Sequence, residues 1–134
     1  MIAPAEIPSE EVHARTILIV DDDLSVTDTF TRILEIEGYH VAVAHDVERG
    51  VELADNVRPD GIILDMRMPI ANGLQFLRRV RAKAHLAEIP ICIVTGDYFL
   101  PDATQREIAS LGVALEFKPM WLEKLVVIAR KLVP

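Results

Sequence analysis

From Thr16 onward, short apolar runs alternate with amphipathic stretches, and that alternation leaves few folds open. The runs Thr16–Val20, Tyr39–Ala44, Ile62–Leu64, Ile91–Val94 and Ala114–Phe117 read as strands. In most of them apolar residues follow one another instead of alternating with polar ones, which suits strands covered on both faces. Helices are predicted over Leu24–Glu37, Val47–Asn56, Gly73–Ala84, Ala103–Leu111 and Trp121–Leu132. Ser25-x-x-Asp28, Asn72-x-x-Gln75 and Asp102-x-x-Gln105 read as N-terminal caps, and Gly38 and Gly112 as stops. Five β-α units in strict alternation imply an α/β fold, a doubly wound five-stranded parallel sheet in the order 2-1-3-4-5.

The 134 residues allow one such domain, expected over residues 16–134. Residues 1–15, with Pro4, Pro8, Glu6, Glu10 and Glu11 and little periodicity, are expected to be a flexible leader. A formal net charge of −7 argues against direct binding to nucleic acid, which relies on a basic surface. No apolar stretch approaches the ~18 residues of a membrane span, and the N-terminus lacks a basic signal-peptide region, so a cytoplasmic protein without membrane contact is expected. The single cysteine, Cys92, lies inside an apolar run and reads as a buried thiol. The four histidines show no zinc-ligand spacing.

In a doubly wound sheet, ligands bind beyond the carboxyl ends of the strands. The residues there are Asp21, Asp22 and Asp23 after strand 1, Asp65 after strand 3, Thr95 and Gly96 after strand 4, and Lys118 and Pro119 after strand 5. Singly, each has a structural explanation as a cap, a turn or a solvated charge. Together they are a different matter, because two unit charges 4 Å apart repel by about 4 kcal/mol at an effective dielectric of 20, and a fold rarely gathers carboxylates without a cation. Oxygen ligands without His or Cys select a hard ion such as Mg²⁺, which keeps waters and accepts phosphate oxygens. A carboxylate beside it can be the nucleophile toward a phosphoryl group, with Lys118 and Thr95 holding the phosphoryl oxygens and Gly96 leaving room for close backbone approach.

The set Ile19-Val20-Asp21-Asp22, Leu64-Asp65-Met66-Arg67-Met68-Pro69 with Gly73, Val94-Thr95-Gly96 and Phe117-Lys118-Pro119 resembles the receiver domain of two-component response regulators, from Thr16 to about Val133. The resemblance implies a flavodoxin-like, CheY-like fold in which Asp65 accepts a phosphoryl group from a sensor histidine kinase or phosphotransfer protein. It further implies that Asp22, Asp65 and the backbone carbonyl of Arg67 bind Mg²⁺, that Asp21 holds a metal-bound water, that Thr95 and Lys118 read the phosphoryl group, and that the Lys118-Pro119 bond is cis. On this reading the chain is not an enzyme beyond its own phosphorylation and dephosphorylation. With no effector before Pro134, it is expected to be a stand-alone receiver acting through a downstream protein. Two departures stand out: the position three before the lysine, often aromatic in the family, is Leu115, with Phe117 next to the lysine, and Gly112 to Lys118 is one residue short.

Arg67 and Asp97, which flank the path of attacking water in the family, either pair over the site and slow hydrolysis or are solvated loop charges. The last predicted helix is apolar around most of its circumference, and Trp121 begins it. A partner or homodimer surface is therefore expected on helix 4, strand 5 and helix 5, with Leu115, Phe117, Trp121 and Leu125 as candidates; a generously apolar core helix is the alternative. Two rival functions remain. One is a receiver fold that binds partners independently of phosphate. The other is a haloacid-dehalogenase-like phosphohydrolase with Asp21 as nucleophile, suggested by Asp21-x-Asp23 and Gly96-Asp97, although Lys118 follows the second motif where that family's lysine precedes it.

Overall fold

The computed structural model describes residues 14–68 and 72–134. Strands β1 (Thr16–Val20), β2 (His40–Ala44), β3 (Gly61–Leu64), β4 (Ile91–Thr95) and β5 (Ala114–Phe117) alternate with helices α1 (Leu24–Ile36), α2 (Val47–Val57), α3 (Gly73–Arg81), α4 (Asp102–Ser110) and α5 (Leu122–Leu132). All strand pairs are parallel, in the order β2-β1-β3-β4-β5. The expected topology is therefore present. Most of the expected leader, residues 1–13, lies outside the described residues; Arg15 already belongs to the fold, since its carbonyl accepts from the His40 N–H.

The unalternating runs do what their composition predicts in the centre of the sheet. Leu18, Val20, Ile62, Leu64, Ile91 and Ile93 face one side and pack with residues of α2, α3 and α4, among them Val51, Phe76 and Ile108. Ile17, Ile19, Ile63, Cys92 and Val94 face the other and pack with α1 and α5 through Phe30, Leu34, Leu125 and Ile128. Both sets are buried because each strand sends successive side chains to opposite faces of a sheet that is covered twice. Cys92 is a buried free thiol whose pKa burial pushes up to about 12. Among the described residues, no helix is long and apolar enough to cross a membrane.

Several helix ends differ from expectation. The N-cap of α1 is Asp23, not Ser25: its carboxylate accepts from the Ser25 and Val26 N–H groups. For α4, Pro101 stands at the N-cap and Asp102 already lies in the helix, because Gln105 N–H bonds the Pro101 carbonyl and its side chain turns back to the Leu100 carbonyl. Helix α3 ends at Arg81, followed by a 3₁₀ turn over Ala84–Leu86, where Arg81 holds the Leu86 and Ile89 carbonyls. Trp121 is the N-cap of α5 and not its first turn. The capping box of Asn72 and Gln75 is formed as expected. Gly38 and Gly112 end α1 and α4 with φ of 99° and 72°.

Candidate functional site

The parallel ladder runs one residue past β1, β3 and β5, and this is what brings the chemical groups together. Asp21 N–H bonds the Ala44 carbonyl (3.0 Å), Asp65 N–H the Val20 carbonyl (2.9 Å) and Lys118 N–H the Thr95 carbonyl (2.8 Å). Three residues from distant parts of the chain are thereby pinned by their own backbones at the same rim of the sheet. The Lys118-Pro119 bond is cis. Gly73 opens α3 against this rim, where a Cβ would lie 2.5 Å from the Asp65 carbonyl oxygen, so only glycine lets the helix start so close to β3.

Asp21 is 3% exposed and Asp65 7%, whereas Asp22 faces solvent. One carboxylate oxygen from each of the three lies within 4.8 Å of the others, a cluster capable of coordinating a metal ion. Lys118 Nζ donates to Asp21 Oδ2 at 2.9 Å and stands 3.8 Å from Asp65 Oδ1. The other Asp21 oxygen accepts from Asp23 N–H at 3.0 Å. Burial, then the charge of Asp21, push the Asp65 carboxyl up to about 6 against the opposing pull of Lys118 and Thr95. The protein itself thus leaves the charge of Asp65 incompletely compensated. Asp23, the third acid of the run, serves the helix: its hydrogen bonds to Ser25 and Val26 hold its pKa below the usual range.

Thr95 is fully buried, and its Oγ1 accepts from the Asp97 N–H at 3.1 Å. The Asp97 carboxylate accepts from Arg67 Nε at 3.0 Å, joining the loop after β3 to the loop after β4, and this ion pair lowers the Asp97 pKa. Between the loops lies a cleft of about 560 Å³ lined in part by Asp22, Arg67, Asn72, Asp97 and Thr104. A Cβ at Gly96 would meet nothing within 4 Å, so protein packing does not require glycine there.

Two residues at this rim were not anticipated. His45 Nδ1 lies 3.0 Å from the Asp21 carbonyl oxygen, and Tyr98 reaches the Lys118 carbonyl with its hydroxyl. The signal for His45 was available, since it follows strand β2 as directly as Asp21 follows β1. The expected output surface needs correction. Leu125 is fully buried, because Leu125, Ile128 and Ala129 share the inward face of α5 at helical spacing, and Leu115 is half-buried against the α2–α4 side of the core. Phe117 (39%), Trp121 (72%), Leu122 (54%) and Val127 (46%) are the large apolar residues from β5 to α5 that are exposed.

The sequence matches the family model described as response regulator receiver domain over residues 17–129. The response regulator MprA of Mycobacterium ulcerans is 34% identical over 119 residues, covering 87% of this chain and 49% of that protein. The MprA protein of Mycobacterium avium is 33% identical over the same length, with 87% and 50% covered. The chain thus spans about half the length of the curated relatives it matches. Among solved structures, the chemotaxis response regulator CheY4 of Vibrio cholerae superposes with a TM-score of 0.80 at 27% identity, covering 89% of this chain and 98% of that one. A CheY-like receiver domain protein of Methanospirillum hungatei gives 0.80 at 25% identity, covering 88% and 92%. A haloacid-dehalogenase-like hydrolase is excluded by these matches, which assign residues 17–129 to a different family.

Proposed function

The chain belongs to the response regulator receiver family, and from that premise we propose that Asp65 is the phosphoacceptor of a two-component phosphorelay. The observation that carries this reading is the position of Asp65, buried at the end of β3 within reach of Asp21, Asp22 and Lys118. A carboxylate oxygen of Asp65 attacks phosphorus, the bond from phosphorus to the donor breaks, and the phosphoryl group is left as an acyl phosphate. The donor in the cell is a phosphohistidine of a sensor kinase or a phosphotransfer protein. The family transfers a phosphoryl group to and from its own side chain and is not a turnover enzyme of another class.

The donor set fits Mg²⁺: oxygen ligands only, two buried carboxylates and one exposed, with solvent access for the waters this ion retains. Asp22, Asp65 and the Arg67 carbonyl would hold it directly and Asp21 through water. When bound, the ion supplies neutralisation of the charge gathered on the transferring group. Lys118 supplies a further positive charge to the phosphoryl oxygens, and the Thr95 hydroxyl and Gly96 N–H donate hydrogen bonds. The Arg67–Asp97 pair spans the cleft beside Asp22 and restricts the approach of water, prolonging the acyl phosphate. Arg67 is 77% exposed at its side chain, so its effect is on lifetime and not on stability. The signal leaves through a downstream protein or a second copy of the chain that binds the α4, β5 and α5 face at Phe117 and Trp121, without direct contact to nucleic acid or membrane.

The test is intact-mass analysis after incubation with acetyl phosphate and Mg²⁺. One phosphoryl adduct is expected, abolished by Asp65→Ala and by EDTA. No adduct, or one undiminished in Asp65→Ala, refutes the reading and leaves a receiver fold that binds partners without phosphate.

A further inference from the structure

Lys118 is held at the rim by more than its ladder bond. Tyr98, three residues after Thr95, donates its hydroxyl to the Lys118 carbonyl and lays its ring on Phe117, with centroids 5.3 Å apart and planes 16° from parallel. Phe117 is the ladder partner of Thr95. Two residues earlier on the same face of β5, at the position where the family often carries an aromatic, Leu115 packs into the core instead. The aromatic contact in this chain is therefore made from the β4–α4 loop onto the strand end, next to the lysine.

Building on the reading of Asp65 as phosphoacceptor, we propose that Tyr98 is a positioning residue for Lys118: ring stack and hydroxyl together fix the Phe117-Lys118 segment so that Nζ points into the acidic cluster. Lys118 Nζ meets Asp21 at 2.9 Å but Asp65 only at 3.8 Å, so a small tilt of the segment changes which carboxylate it serves. The lysine side chain is four methylenes long and would otherwise sample many rotamers from an edge strand. Tyr98 is itself anchored. Asp97, its chain neighbour, donates its N–H to Thr95 Oγ1, while one of its carboxylate oxygens accepts from Arg67 Nε and the other from Phe99 N–H. Thr95 is thus hydrogen-bonded to the residue that immediately precedes Tyr98. Tyr98 is 55% exposed and fills no core space, so its replacement is not expected to unfold the domain.

The experiment measures the rate of phosphorylation by acetyl phosphate in the intact chain with saturating Mg²⁺. Tyr98→Phe, which keeps the stack and removes the hydroxyl, is expected to slow phosphorylation roughly 3- to 10-fold, the kinetic equivalent of one modest hydrogen bond. Tyr98→Leu, which removes both, is expected to slow it more. Neither is expected to change Mg²⁺ affinity, because the carboxylates are untouched. The decisive arm is the same pair of substitutions in a Lys118→Ala background, where both should be silent, since a residue acting through Lys118 has nothing left to position. Equal rates for wild type, Tyr98→Phe and Tyr98→Leu overturn the proposal, as does an unchanged fold-effect in the Lys118→Ala background. A wild-type chain that takes no phosphoryl group refutes the phosphoacceptor reading itself, a result distinct from either of these.

Discussion

Asp65→Asn removes one negative charge from the acidic cluster with almost no change of shape, and its effect on stability should depend on pH in a calculable way. The folded-state pKa of Asp65, about 6, lies above the ordinary value of 3.8 expected for the unfolded chain. Below 3.8 the carboxyl is protonated in both states and carries no electrostatic cost. Between 3.8 and about 6 the unfolded chain releases a proton that the folded one retains, so wild-type stability falls as pH rises; above 6 the full cost is present. At 1.36 kcal/mol per pKa unit the cost is about 3 kcal/mol. Urea unfolding in metal-free buffer should show a gap between Asp65→Asn and wild type that widens by about 3 kcal/mol from pH 3.5 to pH 7.5, whatever its value at pH 3.5. Comparing the two proteins cancels the opposite contributions of Asp23, Asp55, Asp97 and Glu107, whose pKa values are lowered in both. Mg²⁺ at pH 7.5 should then shrink the gap, since the wild type gains more from the cation than the variant. A gap independent of pH, or one that narrows as pH rises, would refute the argument that burial and Asp21 disfavour the charge on Asp65.

Other substitutions test other parts of the structure. Asp22→Asn should weaken Mg²⁺ binding, measured by titration, while raising metal-free stability by less than Asp65→Asn does, because Asp22 faces solvent and is the smallest contributor to the Asp65 shift. Gly73→Ala should destabilise by roughly 1–3 kcal/mol and slow phosphorylation, since the new Cβ must push α3 off the Asp65 carbonyl. Leu125→Ala should cost about 2–5 kcal/mol in urea unfolding and Val127→Ala less than about 1, which separates the buried from the exposed face of α5. Arg67→Ala and Asp97→Ala should each shorten the acyl phosphate half-life in a quench assay and leave the unfolding midpoint nearly unchanged.

Fold and acidic site were legible in the linear chain because both follow from local rules. The unalternating apolar runs of β1, β3 and β4 are satisfied in the centre of a doubly covered parallel sheet, and parallel strands point the same way, so the residue at the end of each run arrives at one rim. Asp21, Asp65, Thr95 and Lys118 could therefore be grouped before any distance was known, and Asn72 with Gln75 could be recognised as a cap from its spacing. Other features were set by contacts across the fold. Whether Leu125 or Val127 faces inward depends on the rotation of α5 against the sheet, and both are apolar. Which of three consecutive acids caps α1 depends on where the helix begins relative to the strand end that fixes Asp21. The stack of Tyr98 on Phe117 joins a loop to an edge strand, and neither residue carries a signal for the other along the chain. Periodicity specifies which faces are apolar and where strands end; the docking of one element on another, which selects rotamers and partners among chemically similar residues, is a property of the packed whole.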